Sequence, residues 1–134
     1  MNQSTILLVD ADEDSLSVYS ALLRHHGYYV LVARNPDEGV RVARTALPDL
    51  ILSDLQERTE TGWLPIEAFR ADPLTGHIPV VALTARVMEE DRASAVASGC
   101  THYLTKPLQP ADLVAIVASM LGSDGVMEAR SVTT

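Results

Sequence analysis

The sequence predicts an α/β fold, a doubly wound, five-stranded parallel sheet covered by five helices. Short apolar runs that suit strands buried on both faces alternate with longer segments of helical periodicity. The length of 134 residues fits one domain, and a hydrophobic content of 47% is that of an ordinary globular chain. In such a sheet, ligands bind beyond the carboxyl ends of the strands, so the residues that follow each strand deserve inspection.

The first two strand and helix pairs have clear boundaries. Residues 5–9 form an apolar run, and the helix predicted after it ends at Gly27, a residue suited to a C-terminal cap. Residues 28–33 are β-branched and aromatic and predict the second strand. The tetrapeptide Asn35-Pro36-Asp37-Glu38 then offers an N-cap, a proline at the first helical position and an early acid. A second helix is therefore predicted to run to about Leu47.

The central part of the chain contains the third and fourth predicted strands. Residues 49–53 form the third strand, which ends on Asp54. The polar stretch 56–62 is predicted to be a loop that leads to the third helix. Residues 79–83 form the fourth strand, which ends on Thr84.

The fourth predicted helix, residues 88–98, has few large apolar side chains. Its first turn is acidic, as the helix dipole favours. We expect mainly Ala93, Val96 and Ala97 to face the core, and we expect the helix to be loosely held because these side chains bury little apolar area.

The last strand and helix complete the domain. Residues 101–105 form a short strand before Lys106-Pro107, and Pro110 opens the fifth helix. The domain is predicted to cover residues 1–121, with residues 122–134 as a flexible tail or the start of a linker. The inner face of the fifth helix is predicted to carry Leu113, Ile116, Val117, Met120 and Leu121.

Charge and composition exclude several classes of partner. Ten Lys and Arg against 18 Asp and Glu give a net charge of -8, which disfavours contact with nucleic acids and anionic membranes. No apolar run approaches the ~20 residues that cross a bilayer. The single Cys100 cannot form an internal disulfide, and the N-terminus lacks the pattern of a secretory signal. The sequence therefore predicts a cytoplasmic protein that binds neither nucleic acid nor membrane.

Polar side chains follow the predicted strands at the edge where ligands are expected. They are Asp10 and Asp12 after the first strand, Asp54 after the third, Thr84 after the fourth and Lys106 after the fifth. Three carboxylates at one edge repel one another unless a cation lies among them, and Mg²⁺ prefers oxygen ligands of this kind. A carboxylate beside a metal ion and a lysine is a candidate nucleophile for phosphoryl transfer.

Several motifs occur together in the order and at the separations found in one known family. They are ILLVD with Asp10 and Asp12, PDLILSD ending on Asp54, Gly62, VVALTA with Thr84, and GCTHYLTKP with Tyr103, Lys106 and Pro107. Over about residues 4–121 the sequence resembles the receiver (CheY-like) domains of two-component response regulators. The resemblance implies the flavodoxin-like variant of the doubly wound fold.

The resemblance also implies a function and its partners. Asp54 would accept a phosphoryl group from a sensor histidine kinase or a phosphotransfer protein, and Thr84 and Lys106 would contact that group. Tyr103 would be an aromatic switch that reorients with Thr84. A downstream protein would bind the face formed by the fourth helix, the fifth strand and the fifth helix, and a homodimer is a further possibility. The chain itself would not be an enzyme beyond its own phosphorylation and dephosphorylation.

A magnesium site is part of the same resemblance. Its ligands would be Asp10, Asp54 and the backbone carbonyl of Gln56. Receivers usually carry two consecutive acids after the first strand, whereas this chain has Ala11 at the second position. We therefore expect weakened Mg²⁺ binding, and whether Asp12 replaces the missing acid stays open.

Two other functions remain open at this point. A receiver-like module that is never phosphorylated and acts by protein contact alone would account for Ala11. A phosphatase of the haloacid dehalogenase type could use Asp10 and Asp12, but it needs a further pair of acids on a strand after Lys106. The acids that follow Lys106 are Asp112, Asp124 and Glu128.

Overall fold

The computed structural model describes residues 3–55, 57–58, 63–85 and 89–121, with the backbone alone at residues 57, 58, 89 and 90. The predicted tail, residues 122–134, lies outside this part of the chain. The elements are β1 (Thr5–Val9), α1 (Glu13–His25), β2 (Tyr29–Ala33), α2 (Pro36–Ala46), β3 (Leu50–Ser53), β4 (Glu57–Arg58), β5 (Trp63–Leu64), α3 (Ile66–Ala71), β6 (Val80–Thr84), α4 (Glu89–Ser98), β7 (His102–Thr105) and α5 (Pro110–Leu121).

The main sheet has five parallel strands in the order β2-β1-β3-β6-β7. Alternate residues of each strand enter two separate apolar clusters. In β1, Leu7 faces the cluster that α2, α3 and α4 cover, and Leu8 faces the cluster that α1 and α5 cover. Helices therefore cover both faces of the sheet, and the predicted doubly wound fold with five helices is confirmed.

The predicted helix boundaries follow from local chemistry. α1 ends one residue before His26, and Gly27 continues the chain with a φ of 94°, a left-handed conformation that glycine adopts without a side-chain clash. At the start of α2, the Asn35 side chain accepts a hydrogen bond of 2.8 Å from the Glu38 backbone N–H. Such N-caps contribute about 1 kcal/mol to stability. Both ends were predicted correctly because each depends on residues close in sequence.

The predicted inner face of α4 is wrong. Ala95 is fully buried, whereas Val96 is 58% exposed. The helix is oriented by a polar contact instead, since the Trp63 backbone N–H donates to Ser98 Oγ at 3.0 Å. With so few large apolar side chains, the sequence pattern did not determine which face of α4 turns inward. Three α4 residues were predicted to face the core but are exposed: Ala93, Val96 and Ala97.

The predicted loop over residues 56–62 also differs from the structure. Residues 57–58 form β4, which pairs antiparallel with β5 through the partners Glu57 with Leu64 and Arg58 with Trp63. Strands of two residues are too short to show the alternation by which strands are recognised in a sequence.

Among the described helices, none combines the length and the apolar character that crossing a membrane requires.

Candidate functional site

The two central strands end beside each other at the carboxyl edge of the sheet. Val9 of β1 is in register with Ser53 of β3, so Asp10 and Asp54 follow at neighbouring positions. The Asp54 backbone N–H donates to the Val9 carbonyl at 2.9 Å, and the Asp10 N–H donates to the Ala33 carbonyl at 3.0 Å. The sheet thus extends its hydrogen bonding to both residues and holds their backbones in adjacent, defined positions.

A buried ion pair joins the first acid to the lysine. Although β3 and β6 lie between β1 and β7, the segment after β7 brings Lys106 Nζ to 2.6 Å from Asp10 Oδ2. The Asp10 side chain is 2% exposed and the Lys106 side chain 17%. The other Asp10 oxygen accepts a 2.9 Å hydrogen bond from the Asp12 backbone N–H. Both oxygens of this carboxylate therefore have donors, which burial of a charge demands.

The surroundings of Lys106 keep its ammonium charged. Burial alone would lower the pKa of Lys106, but the hydrogen bond to Asp10 and the charges of Asp54 and Asp10 together raise the pKa above its ordinary value. Its Nζ also lies 5.9 Å from the centre of the Tyr19 ring. Tyr19 of α1 was not predicted to contact the site, because Lys106 is distant from it in the sequence and only the fold brings the two side chains together. At neutral pH the site thus has a permanent cation whose charge acts on both acids.

Thr84 and Tyr103 lie on the edge half of the sheet. Thr84 ends β6 and is 2% exposed, and its carbonyl accepts a 2.7 Å hydrogen bond from the Lys106 N–H. Tyr103 is 8% exposed and pairs with Ala82 in the register of β6 and β7. Because side chains alternate along a strand, Thr84 lies on the same face as Ala82 and Tyr103, the face covered by α4. The two residues predicted to act together thus share one face.

Asp12 does not join the buried pair. Its side chain is exposed, and its Oδ2 accepts a 2.9 Å hydrogen bond from Ser15 Oγ. This hydrogen bond is the main cause that lowers the pKa of Asp12 below its ordinary value. Among the described side chains, no group of three His, Cys, Asp or Glu residues is placed to hold a metal ion, so the expected cluster of three carboxylates is not found there.

Among the described side chains at this edge, the carboxylates of Asp10 and Asp54 are the oxygen donors that remain for a hard cation. Their chemistry suits Mg²⁺, which is commonly bound by one or two carboxylates together with water. Gln56, the third predicted ligand, lies outside the described residues, as does Gly62 of the sequence motif. Ala11 is exposed and offers no side-chain oxygen.

Comparison with known proteins agrees with this geometry. The family model of the response regulator receiver domain matches residues 6–118. The chain therefore belongs to the response regulator receiver family. It is 32% identical over 116 residues to Protein PilH of Pseudomonas aeruginosa, an alignment that covers 87% of this chain and 96% of PilH.

Two solved structures are similar over nearly the whole fold. The chemotaxis protein CheY4 of Vibrio cholerae is 28% identical with a TM-score of 0.81, covering 90% of this chain and 100% of CheY4. The receiver domain of the sensor histidine kinase PA1611 of Pseudomonas aeruginosa is 31% identical with a TM-score of 0.78, covering 91% of this chain and 100% of that domain. The latter structure is described with a magnesium ion coordinated in its active-site cleft.

Proposed function

We propose that this protein is a phosphorylation-dependent signalling switch that accepts a phosphoryl group on Asp54. The observation that carries the proposal is the 2.6 Å ion pair between Lys106 Nζ and Asp10 Oδ2, at the edge of the sheet where Asp54 follows β3 beside Asp10. This arrangement supplies a nucleophilic carboxylate and a fixed cation at the edge of the sheet where α/β proteins bind ligands. Membership of the receiver family supports the same conclusion.

The donor is a phosphohistidine on a sensor histidine kinase or a phosphotransfer protein. An Asp54 carboxylate oxygen forms the new P–O bond as the P–N bond breaks, and the imidazole nitrogen leaves with the electron pair of that bond. Lys106 neutralises charge on the transferring group, and the Thr84 hydroxyl donates a hydrogen bond to one phosphoryl oxygen. The role of Lys106 requires its charged form, which the hydrogen bond to Asp10 and the charges of Asp54 and Asp10 favour by raising the pKa of Lys106.

Mg²⁺ is the cofactor that the donor set fits. Asp10, Asp54 and the backbone carbonyl of Gln56 would hold it, and the receiver domain of PA1611, described with magnesium, supports this assignment. When bound, a divalent cation of this kind neutralises charge on phosphoryl oxygens. Because Ala11 supplies no carboxylate, the affinity is weaker than two consecutive acids would give.

The output is a change of protein partner. Phosphorylation of Asp54 draws Thr84 toward the phosphoryl group, Tyr103 follows, and the face formed by α4, β7 and α5 changes its preference for a downstream protein. The receiver occupies residues 1–121, and residues 122–134 act as a tail or linker. The net charge of -8 disfavours nucleic acids and anionic membranes as partners. The partner is a downstream protein in the cytoplasm, and a second copy of the chain is a further candidate partner.

Intact mass spectrometry tests the proposal. Incubation of the whole chain with a small acyl phosphate and Mg²⁺ should add one phosphate, and Asp54→Asn should remove that addition. Asp49→Asn is the matched control, because Asp49 precedes the same strand at its opposite end, where it accepts a hydrogen bond from the Thr5 N–H. Equal labelling of wild type and Asp54→Asn would refute the assignment of the acceptor.

The labelling experiment and an assay of phosphomonoester turnover together decide between the alternative functions. No labelling of the wild type by acyl phosphate or by a phosphorylated kinase domain would favour a module that acts by contact alone. Turnover of a generic phosphomonoester would favour the phosphatase. Between Lys106 and Leu121 the structure contains α5 and no strand, so the strand acids that the phosphatase needs are not found in this described part of the chain.

A further inference from the structure

The attachment of α4 to the sheet depends on few buried side chains. Of the α4 side chains that the structure describes, Ala95 is the one that is fully buried. A methyl group buries little apolar area, so the hydrophobic effect holds this helix weakly. Contacts of other kinds must therefore contribute to its position over β7.

Tyr103 lies in the space between α4 and the edge strand. Its side chain is 8% exposed and belongs to the same apolar cluster as Ala95 and Cys100. β7 pairs with β6 on one side and forms the edge of the sheet on the other. A ring at an edge position has a short path to solvent, so keeping it buried requires a cover.

Arg92 provides that cover. It lies on α4 three residues before Ala95, a spacing that puts two side chains side by side on a helix. Its guanidinium carbon is 5.5 Å from the centre of the Tyr103 ring, within the range of a cation–π contact. One side chain thus connects the outer helix to the buried ring.

We infer that Arg92 is a positioning residue that holds Tyr103 in its buried orientation and so sets the resting state of the switch. The inference rests on the proposed function for its biological meaning, since it assumes that Tyr103 reorients when Asp54 is phosphorylated. Movement of α4 away from β7 breaks the contact between the guanidinium and the ring. Burial of Tyr103 and the position of α4 are thereby coupled, and loss of the Arg92 cation shifts the equilibrium toward the exposed ring.

Fluorine NMR on the full-length protein with 3-fluorotyrosine tests this coupling. The chain has four tyrosines, and Tyr103→Phe identifies the signal of Tyr103. Exposure of the ring is measured from the solvent isotope shift of that signal, with and without fluoroberyllate, a mimic of the phosphoryl group. The variants are Arg92→Gln, Arg92→Lys and, as a matched control on an exposed face of α2, Arg41→Gln. Intact mass after acyl phosphate treatment is recorded for each variant.

The expected result is specific to the cation. In the absence of fluoroberyllate, Arg92→Gln should raise the exposed-to-buried ratio of Tyr103 about two- to fivefold, the factor that an exposed cation–π contact represents. Arg92→Lys should retain most of the wild-type ratio, and Arg41→Gln should leave it unchanged. An unchanged ratio in Arg92→Gln, or an equal increase in Arg41→Gln, overturns the inference.

Failure of the inference and failure of the proposed function are distinguishable. The ratio without fluoroberyllate does not depend on phosphorylation, so it tests the contact between Arg92 and Tyr103 directly. Wild type that accepts no phosphate refutes the proposed function whatever the ratio is. Wild type that accepts phosphate while Arg92→Gln keeps the wild-type ratio refutes the role of Arg92 alone.

Discussion

The two helices beside β7 are held to the sheet in different ways. On one face, α5 inserts Leu113 and Val117, both fully buried, into the cluster that Leu104 of β7 joins. On the other face, α4 buries Ala95, and its described contacts include the hydrogen bond from the Trp63 N–H to Ser98 Oγ and the contact of Arg92 with the Tyr103 ring. Leu104 and Tyr103 are consecutive residues of β7. Leu104 faces the helix α5, which is attached by buried apolar side chains, and Tyr103 faces the helix α4, whose described contacts are largely polar.

The energies of the two attachments differ accordingly. Full burial of a leucine or valine side chain contributes roughly 1.5–3 kcal/mol, whereas a typical hydrogen bond contributes about 1 kcal/mol net. A helix held by small and polar contacts can shift position at a lower cost than one held by several buried aliphatic groups. The difference makes α4 the adjustable part of the proposed partner surface and α5 the fixed part.

The largest effect is expected from truncating the apolar attachment. Leu113→Ala should lower the free energy of unfolding by about 3 kcal/mol, because it removes buried methyl groups and leaves a cavity. Val96→Ala is the control on α4, where a side chain that is 58% exposed should change stability by less than about 0.5 kcal/mol. Urea unfolding measures the change in the free energy of unfolding for both variants. Similar losses in the two variants would contradict the contrast between the helices.

The next effect concerns the connection that follows α4. Arg70 of α3 donates hydrogen bonds of 3.0 and 2.8 Å to the Gly99 carbonyl, and others to the carbonyls of Gly76 and Ile78. Arg70→Met should cost about 2 kcal/mol, since these acceptors lose charged donors while the cost of desolvating the guanidinium disappears. Arg41→Met is the control for loss of an exposed arginine.

Hydrogen exchange sharpens that prediction. Arg70→Met should accelerate exchange of amides in α4 and in the turn at Gly99 more than exchange in α5, because Arg70 contacts the α4 side of the sheet. Uniform acceleration across the whole domain would mean that Arg70 stabilises the fold globally and does not anchor α4 in particular.

A further prediction concerns the edge of the sheet that we propose binds Mg²⁺, where Ala11 stands beside Asp10. Ala11→Asp should bind Mg²⁺ roughly tenfold more tightly, equivalent to about 1.4 kcal/mol, because a carboxylate attracts the cation and part of that gain is offset by repulsion from Asp10. Isothermal titration calorimetry measures the affinities of wild type, Ala11→Asp and Asp12→Ala. If Ala11→Asp binds no more tightly while Asp12→Ala abolishes binding, Asp12 is a direct ligand and the alignment of the acids is wrong.

The smallest effect is expected from pH. Burial beneath α4 raises the pKa of the Cys100 thiol, although the charges of Arg70 and Arg92 act in the opposite direction. A raised pKa in the folded state means that the unfolded chain ionises first. The contribution to stability is therefore complete below the ordinary thiol pKa of about 8.5 and is lost as pH rises through the raised value.

Urea unfolding of wild type and Cys100→Ala at pH 7.5 and 9.5 measures this effect. Wild type should lose slightly more stability than Cys100→Ala over this interval, because only wild type has the buried thiol. A greater loss in Cys100→Ala would show that the assigned sign is wrong. Cys100 lies in the apolar cluster on the α4 side of the sheet. The pH dependence therefore reports on the side where α4 is attached, which is the weaker attachment.

Most of the fold could be predicted because it depends on local patterns. Continuous apolar runs identified most strands of the main sheet. The capping side chain of Asn35 and the conformational freedom of Gly27 located two helix ends. The prediction that α5 buries Leu113 and Val117 was confirmed, since a helix with many large apolar residues has one unambiguous inner face.

The orientation of α4 could not be predicted in this way. Its alanines and Val96 define no dominant apolar face. The contacts that orient it come from Trp63, 35 residues before Ser98, and from Tyr103 on the next strand. The strand β4 was likewise missed, because a two-residue strand exists only through its pairing with β5.

In the candidate site, too, some features could be predicted from the sequence and others depend on the folded structure. The sequence was enough to predict that Asp10, Asp54, Thr84 and Lys106 lie at one edge of the sheet. Each residue follows a strand, and parallel strands end on the same side of the sheet, where ligands bind. The ion pair between Asp10 and Lys106 spans 96 residues of chain, and the separation of Asp12 from it follows from a helix N-terminus that exposes its carboxylate. Residue types and their order are local properties, whereas the pairing of charges depends on burial and distance, which exist only once the chain has folded.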